Sequence, residues 1–289
     1  MPVTGDECPV APFRFLGELD QPPEGYCLNA DPVHLRADPR GLLLFDATSL
    51  AITAEEAEQL APVLQKEILD DDGWTLQTGS PQHWYLTGGA RPDLHSTPLP
   101  AVLGQPVGNF LPRGKAAAEW INRGNEMQML LHNHPVNYQR ALRGAPAINS
   151  LWFWGGGELP RAGDPSFDCV YSDDALLRGL GLWSGSECAP LPAQANELLP
   201  AHSSGHLLLN LDLCRRAANY QDFNAWNAAV QQYERDWFAP LMEALLHSDL
   251  QMLELLPLNG YRYQVAKHDL WRLWRPVRSW RNQLAGALL

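Results

Sequence analysis

Residues 125–157 constrain the fold of this chain more than any other segment, because a helix-like pattern, a strand-like pattern and three glycines follow one another there. An amphipathic stretch ends at His134 and Pro135, and an apolar run follows over residues 148–154. Side chains alternate between the two faces of a strand, so this run has two apolar faces. Such a pattern predicts a covered strand of a parallel sheet.

The run of Gly155, Gly156 and Gly157 predicts a close backbone approach directly after that strand. Glycine takes positive φ angles without strain and leaves room for a neighbouring chain or a ligand. One interpretation is a tight exit from a buried strand. The alternative is a glycine turn beside an anion pocket.

The composition indicates a folded protein with an acidic surface. Of 289 residues, 45% are hydrophobic and 19% charged, which excludes a disordered chain. A net charge of -12 argues against general nucleic-acid binding, because such a surface repels phosphates. Five cysteines without a CxxC pair favour a reducing cytoplasm, and there is no apolar run long enough to span a bilayer. We therefore expect a cytoplasmic protein without nucleic-acid or membrane partners.

Periodicity and turn residues predict the order of the elements. Thr53 opens a helix with a capping box completed by Glu56. We expect coil over 1–25, hairpins over 26–45 and 74–86, a long surface loop over 87–114 and a helix over 116–132. In the second half, strands at 169–171, 205–211 and 250–256 alternate with helices at 175–180 and 223–246. This alternation predicts an α/β fold with parallel strands.

Six segments carry motifs of one enzyme family. Two of them are residues 82–86, which look like its Y-R-H-L-L strand, and residues 174–181, which look like its D-L-L-K-G-I-G segment. Residues 26–29 look like its aromatic-Arg-Cys-Asn strand, and residues 52–57 like its I-[ST]-T-E-E-A helix start. Residues 134–144 look like H-P-[IV]-N-x-x-R-x-x-G, and residues 147–157 like A-N-x-x-W-x-W-G-x-G. In these motifs the chain resembles the archaeal-type cofactor-independent phosphoglycerate mutases of the alkaline phosphatase superfamily.

The resemblance implies an architecture. It implies an α/β fold with an alkaline-phosphatase-like, mostly parallel sheet core, helices on both faces and a smaller inserted α+β cap subdomain. The core would comprise residues 1–29 and 126–289 and would be incomplete at its N-terminus, where the recorded start is expected to be truncated. The cap would comprise residues 30–125. For active mutases the resemblance also implies a serine nucleophile and two divalent metals.

The chain departs from the family at the metal ligands. Residues 1–25 hold no D-G-x-G-D motif, and only Asp212 and Asp222 are carboxylates where the family has H-x-E-x-x-D-x-x-x-H. The D-H-x-T-P turn is replaced by neutral residues 256–260, and His268 is a single possible ligand in the last motif. Neutral amides do not replace ligating carboxylates. We therefore expect no metal cofactor.

A second resemblance covers residues 26–274. The segments CLNADPVHLRAD and EMQMLLHNHPVN are similar to those of bacterial regulatory proteins of the RpfE type. This likeness is stronger than the likeness to the mutases. It implies a regulatory role without specifying a molecular activity.

Two sets of candidate residues follow. Guanidinium groups match phosphate and carboxylate geometry, so we expect an anion or ligand site at His134, Asn137, Arg140, Arg143, Asn149, Gly155, Gly156 and Gly157; the alternative is that the arginines are ordinary surface residues. Asp31 and His34 flank a proline and are candidates for an acid/base pair facing one another in a turn. The alternative is a structural Asx-turn.

Three functional hypotheses remain open. The first is a catalytically degenerate mutase relative with a regulatory or ligand-sensing role, which binds a small phosphorylated or carboxylate ligand. The second is an active phosphomutase or phosphatase with an altered site that uses manganese or zinc. The third is a scaffold that binds a protein partner through the Trp- and Arg-rich segment Trp271–Arg281.

Overall fold

The computed structural model describes residues 8–199, 204–219, 221–258 and 260–269. The predicted partner segment Trp271–Arg281 lies outside these residues. Contacts divide the chain into unit 1, residues 1–191 and 206–210, and unit 2, residues 192–205 and 211–289. A separate cap over residues 30–125 stays a prediction, although one strand of unit 1 runs continuously across residue 30.

Unit 1 contains two sheets and the helices around them. In chain order, its elements are α1 (Val10–Leu19), β1 (Tyr26–Asp38), β2 (Gly41–Phe45), α2 (Ala47–Leu50), α3 (Ala54–Leu64), β3 (Trp74–Ser80), β4 (His83–Gly88), α4 (Leu99–Val102), α5 (Ala117–His132), α6 (Pro135–Leu142), β5 (Ser150–Gly157), β6 (Cys169–Tyr171), α7 (Ala175–Ser184), β7 (Glu187–Ala189) and β8 (Leu207–Leu209).

The larger sheet of unit 1 is antiparallel and is organised by the long strand β1. The first half of β1 lies between β4 and β5, and its second half forms a hairpin with β2. β3 pairs with β4 at the edge, so both predicted hairpins are confirmed. The expectation that β5 is a parallel strand was wrong, because β5 runs antiparallel to β1. Its two apolar faces have another cause, since both sides of this sheet are covered.

The smaller sheet of unit 1 is parallel, in the order β7-β6-β8. Short strands alternate here with α7, as the alternation of patterns predicts. The prediction of a mixed α/β fold with a parallel sheet and packed helices is therefore confirmed.

One face of the antiparallel sheet packs on α3 and α5, in a core that includes Trp84, Trp120 and Leu151. Helix α1 lies on the other face, where Phe15 packs with Cys27 and other buried residues. The expectation of coil over residues 1–25 was wrong for the ten residues of α1. α1 is therefore the element that places polar side chains on this face of the sheet.

Helix α1 packs closely against α7 through two glycines. A β-carbon at Gly179 would lie 1.7 Å from the carbonyl oxygen of Phe13, and one at Gly17 would lie 1.9 Å from that of Ala175. Only hydrogen side chains allow the two backbones to approach to this distance. Since α7 also packs on β6 and β7, the α1–α7 contact joins the two sheets of unit 1.

A local signal accounts for α3, whereas the segment over residues 87–114 is more ordered than its sequence predicts. Thr53 caps α3 and forms the predicted capping box with Glu56. The segment over residues 87–114 was predicted to be a surface loop, but it contains α4 and buries Leu99, Val102 and Val107. These apolar side chains pack beside Trp152 and Trp154 of β5.

Within its described residues, unit 2 contains helices and one hairpin. Its elements are α8 (Leu213–Asn219), α9 (Phe223–Tyr233), α10 (Ala239–His247), β9 (Met252–Leu255) and β10 (Tyr263–Ala266). A π-helical turn connects α9 to α10, so the predicted helix over 223–246 is continuous. β9 and β10 pair antiparallel. In the part of the chain that the structure describes, no helix is long and apolar enough to cross a membrane.

Candidate functional site

His134 occupies the N-cap of α6. Its Nδ1 accepts a hydrogen bond from the backbone N–H of Val136 at 3.3 Å, which requires an unprotonated nitrogen. Burial lowers the pKa of His134 and favours this neutral form. The Pro135 that follows stands at the first helical position, where its missing N–H costs nothing. His134 therefore caps a helix and keeps α6 separate from α5.

Arg140 and Arg143 share the carboxylate of Glu56, and we call these three residues the Glu56 cluster. Arg140 is fully buried; Nη1 donates to Glu56 Oε2 at 2.6 Å, Nε to the carbonyl of Pro146 at 2.7 Å and Nη2 to the carbonyl of Leu50. Arg143 donates to the other oxygen of Glu56, but 51% of its side chain is exposed. Burial lowers the pKa of Arg140, and Glu56 opposes this shift. The cluster joins α6 to the start of α3.

Asn137 and Asn149 hold the chain on either side of residue 148. Asn137 donates to the carbonyls of Leu131 and Ile148, both at 2.7 Å, and accepts from the N–H of Ile148 at 2.8 Å. Asn149 accepts from the N–H of Leu35 at 2.7 Å and donates to its carbonyl at 2.9 Å. Near the start of β5, the side-chain amides of Asn137 and Asn149 thus form hydrogen bonds with backbone N–H and C=O groups that would otherwise need backbone partners.

The three glycines belong to β5 itself, so the expectation of a glycine turn directly after residue 154 was wrong. Two residues, Gly155 and Gly156, lie opposite Leu28 of β1 in a β-bulge, and Gly155 has a φ of 64°. A β-carbon at Gly156 would lie 2.3 Å from the Tyr26 hydroxyl. Neighbouring protein groups therefore occupy the space that the glycines leave.

Asp31 and His34 do not face one another in a turn, because both lie in β1 and their odd spacing places them on opposite faces. Nδ1 of His34 lies 2.8 Å from the carbonyl oxygen of Ala147. Asp31 accepts from the indole N–H of Trp154 at 2.8 Å and from Arg14 at 3.0 Å. The predicted acid/base pair is thus separated into two unrelated sets of contacts.

Asp31 belongs to a buried polar group under α1, which we call the Arg14 cluster: Arg14, Asn29, Asp31 and Trp154. Arg14 also donates to Asn29 Oδ1 at 2.7 Å, and its guanidinium lies 5.2 Å from the centre of a Trp154 ring. Burial alone would lower the pKa of Arg14, but Asp31, Tyr85 and Glu18 outweigh it and the pKa is raised. Oδ1 of Asp31 is buried without a hydrogen-bond partner.

A second polar group lies one turn further along α1, and we call it the Glu18 cluster: Glu18, His83 and Tyr85. Glu18 Oε1 lies 2.6 Å from Nδ1 of His83, and Oε2 accepts from the hydroxyl of Tyr85 at 2.7 Å. Burial would raise the pKa of Glu18, but His83, Tyr85 and Arg14 outweigh it, so the pKa is lowered. Burial raises the pKa of Tyr85, which keeps its hydroxyl a donor.

The lowered pKa of Glu18 predicts a pH-dependent contribution to stability. The ionised carboxylate stabilises the fold above the unfolded-state pKa near 4.5, and this contribution is lost as pH falls through the lower folded-state pKa. The free energies of unfolding of wild type and Glu18→Gln should therefore differ most at pH 7 and converge as pH falls below 4.5 and through the lower folded-state pKa. Urea denaturation across this range measures the difference, and a constant difference would contradict the prediction.

The Arg14 and Glu18 clusters were missed by the sequence analysis, because α1 was expected to be coil. One local signal was present: Arg14 and Glu18 are four residues apart and so share one face of a helix. Their partners on β1, β4 and β5 are distant in sequence, and no local pattern identifies them.

The two carboxylates left at the family's metal-ligand positions have local partners. Asp212 forms an ion pair with Arg215 at 2.8 Å, and Asp222 caps α9 by accepting from the N–H of Ala225 at 2.9 Å. Nearby, Asn210 donates to the hydroxyl of Ser172 at 3.2 Å. Among the residues described here, no group of three or more His, Cys, Asp or Glu side chains is arranged to hold a metal ion.

Comparison with known proteins identifies relatives of low sequence identity. No family model matches the chain. It is 26% identical to the 2,3-bisphosphoglycerate-independent phosphoglycerate mutase of Methanothrix thermoacetophila, over 78% of this chain and 62% of that protein. Against the Methanosarcina acetivorans enzyme of the same name the identity is 26%, over 66% of this chain and 50% of that enzyme. The chain therefore has a phosphoglycerate-mutase-like relationship at low identity, and it spans only about half to three fifths of these relatives.

Comparison with solved structures bears on the fold alone. The PH0037 protein from Pyrococcus horikoshii is similar with a TM-score of 0.50 and 15% sequence identity. The similarity covers 85% of this chain and 60% of that chain. The two proteins share a fold.

Proposed function

We propose that this chain is a catalytically degenerate relative of the phosphoglycerate mutases with a regulatory or ligand-sensing role in the cytoplasm. Its resemblance to regulatory proteins of the RpfE type supports a regulatory role. The observation that carries the proposal is the use of Asp212 and Asp222, which stabilise local structure by an ion pair and a helix cap. A two-metal phosphoryl transfer requires such carboxylates as ligands.

The contacts of the Glu56 cluster support the same proposal. Arg140 lies in the motif that resembles the mutases, yet its guanidinium is enclosed by Glu56 and two backbone carbonyls. Its side chain is fully buried, so an anionic ligand in solution does not meet it at the surface. A small phosphorylated or carboxylate ligand would instead meet the half-exposed Arg143 and would compete with Glu56 for it.

Metal analysis combined with activity assays tests the loss of catalysis. The purified full chain, with and without added manganese or zinc, is assayed for interconversion of 3- and 2-phosphoglycerate and for phosphatase activity. We expect substoichiometric metal and no turnover above the blank, because Asp212 and Asp222 have other partners. Stoichiometric metal together with turnover would refute the proposal and favour an active phosphomutase or phosphatase with an altered site.

Ligand sensing is tested separately by the thermal shift that 3-phosphoglycerate produces. Wild type should be stabilised, and Arg143→Gln should lose this stabilisation while keeping its unliganded melting temperature. Arg40→Gln is the matched control, since Arg40 is an exposed arginine paired with Asp38 in the β1–β2 turn. Equal shifts in all three proteins would reject Arg143 as the ligand contact.

A further inference from the structure

The Glu18 cluster fixes the tautomer and orientation of His83. Both oxygens of Glu18 are engaged, one by His83 Nδ1 at 2.6 Å and the other by the Tyr85 hydroxyl at 2.7 Å. An ionised carboxylate only accepts hydrogen bonds, so Nδ1 of His83 carries the hydrogen. In the neutral ring, Nε2 is then the free basic nitrogen. A base oriented by a buried carboxylate is the arrangement that activates a hydroxyl in serine hydrolases.

A serine lies beside this base. Ser80 ends β3 and is the direct cross-strand partner of His83 at the start of β4. Paired residues of neighbouring strands project from the same face, with β-carbons about 4.5–5.5 Å apart. Ser80 Oγ is buried and has no hydrogen-bond partner. Rotation about χ1 therefore breaks no hydrogen bond, and such a rotation is what the hydroxyl needs to approach the imidazole.

The turn leaves His83 accessible from one side, whereas Ser80 Oγ is buried in its present orientation. Only Pro81 and Gln82 separate Ser80 from His83, and 37% of the His83 side chain is exposed. The inner side is closed by Glu18 and Tyr85. Gly79 is required for this packing, since a β-carbon there would lie 2.2 Å from Oε2 of Glu18. A reagent has to enter from the solvent side of the turn, which favours small substrates.

From these contacts we propose that Ser80, His83 and Glu18 form a nucleophilic site that accepts the acyl group of small activated esters. Oγ of Ser80 bonds to the ester carbonyl carbon as its proton passes to Nε2 of His83. The carbon–oxygen bond to the leaving group then breaks, and the leaving alcohol takes this proton. Water releases the acid by the reverse sequence. Glu18 and Tyr85 are positioning residues.

Covalent labelling of the full chain with an alkyl fluorophosphonate tests the proposal. A phosphorus–oxygen bond forms at Ser80, the phosphorus–fluorine bond breaks, and the proton leaves through His83. We expect one adduct, located at Ser80 by peptide mass spectrometry and absent from Ser80→Ala. Because Ser80 Oγ has no partner, Ser80→Ala should keep the wild-type unfolding midpoint. Ser49→Ala, at an exposed serine of α2, should label like wild type.

The roles of His83 as the base and of Glu18 as a positioning residue are tested by different measurements. His83→Ala should label about 10²–10⁴-fold more slowly, and added imidazole should restore part of the rate, which a purely structural role does not explain. Glu18→Gln should lower kcat for p-nitrophenyl acetate and leave KM unchanged. An adduct on His83, Tyr85 or another serine, or no adduct on the folded chain, would overturn the proposal. The mutase and metal assays are independent of this outcome.

Discussion

Replacing Arg140 with alanine should lower the free energy of unfolding by about 3–5 kcal/mol. The change removes the buried cation beside the Glu56 carboxylate and the donors to the carbonyls of Leu50 and Pro146. It also opens a cavity where a fully buried side chain stood. Urea denaturation followed by tryptophan fluorescence measures the loss.

Arg143→Ala is the matched control, because Arg143 pairs with the same carboxylate from a half-exposed position. An exposed ion pair contributes about 0–1 kcal/mol, so this variant should unfold near the wild-type midpoint. Equal losses of unfolding free energy in Arg140→Ala and Arg143→Ala would show that the burial of Arg140 does not make its contribution to stability larger than that of Arg143. An anion-dependent thermal shift that disappears in Arg140→Ala would therefore report a damaged fold and would not identify a ligand contact.

Arg14→Met should destabilise the protein by a similar amount, about 3–5 kcal/mol, because it leaves Asp31 as an uncompensated buried charge. Asn29 also loses its donor. The double variant Arg14→Met/Asp31→Leu removes both charges and should recover most of this loss. Denaturation of wild type, both single variants and the double variant gives the coupling energy between the two residues.

The control for this double-mutant cycle is an ion pair at the contact between α1 and α7. Arg178 of α7 pairs with Asp20 at the end of α1 at 2.7 Å, but both side chains are largely exposed. Arg178→Met should cost about 0–1 kcal/mol. If the double variant is no more stable than Arg14→Met, the orphaned charge of Asp31 is not the cause of the loss.

Local chemistry in the sequence predicted many of the elements. The Thr53–Glu56 capping box, the turn at residues 38–41 and the helical spacing over 223–246 each depend on residues close together in the chain. The alternation in β5 also predicted that Trp152 and Trp154 lie on the face opposite Leu151, as the packing clusters confirm. These signals specify an element and the face it buries.

The roles of the polar residues depended on distant partners and were not predictable in this way. Arg140 reads as a ligand residue from its motif, but its burial is set by Glu56, 84 residues earlier. The contact of His83 with Glu18 was not predicted, because Glu18, 65 residues away, lies on a helix that was not expected. Prolines at positions 9 and 12 and Gly17 obscured that helix, although a proline in the first turn is compatible with it.

The glycine contact between α1 and α7 has a consequence for the order in which the protein assembles. The two glycines are about 160 residues apart, so at a synthesis rate of roughly 5–20 residues per second α7 follows α1 from the ribosome by about 8–32 s. Throughout this interval Phe13 of α1 lacks Trp183 of α7, against which its ring later packs. The contact between α1 and α7 can therefore form only after residue 179 has been synthesised.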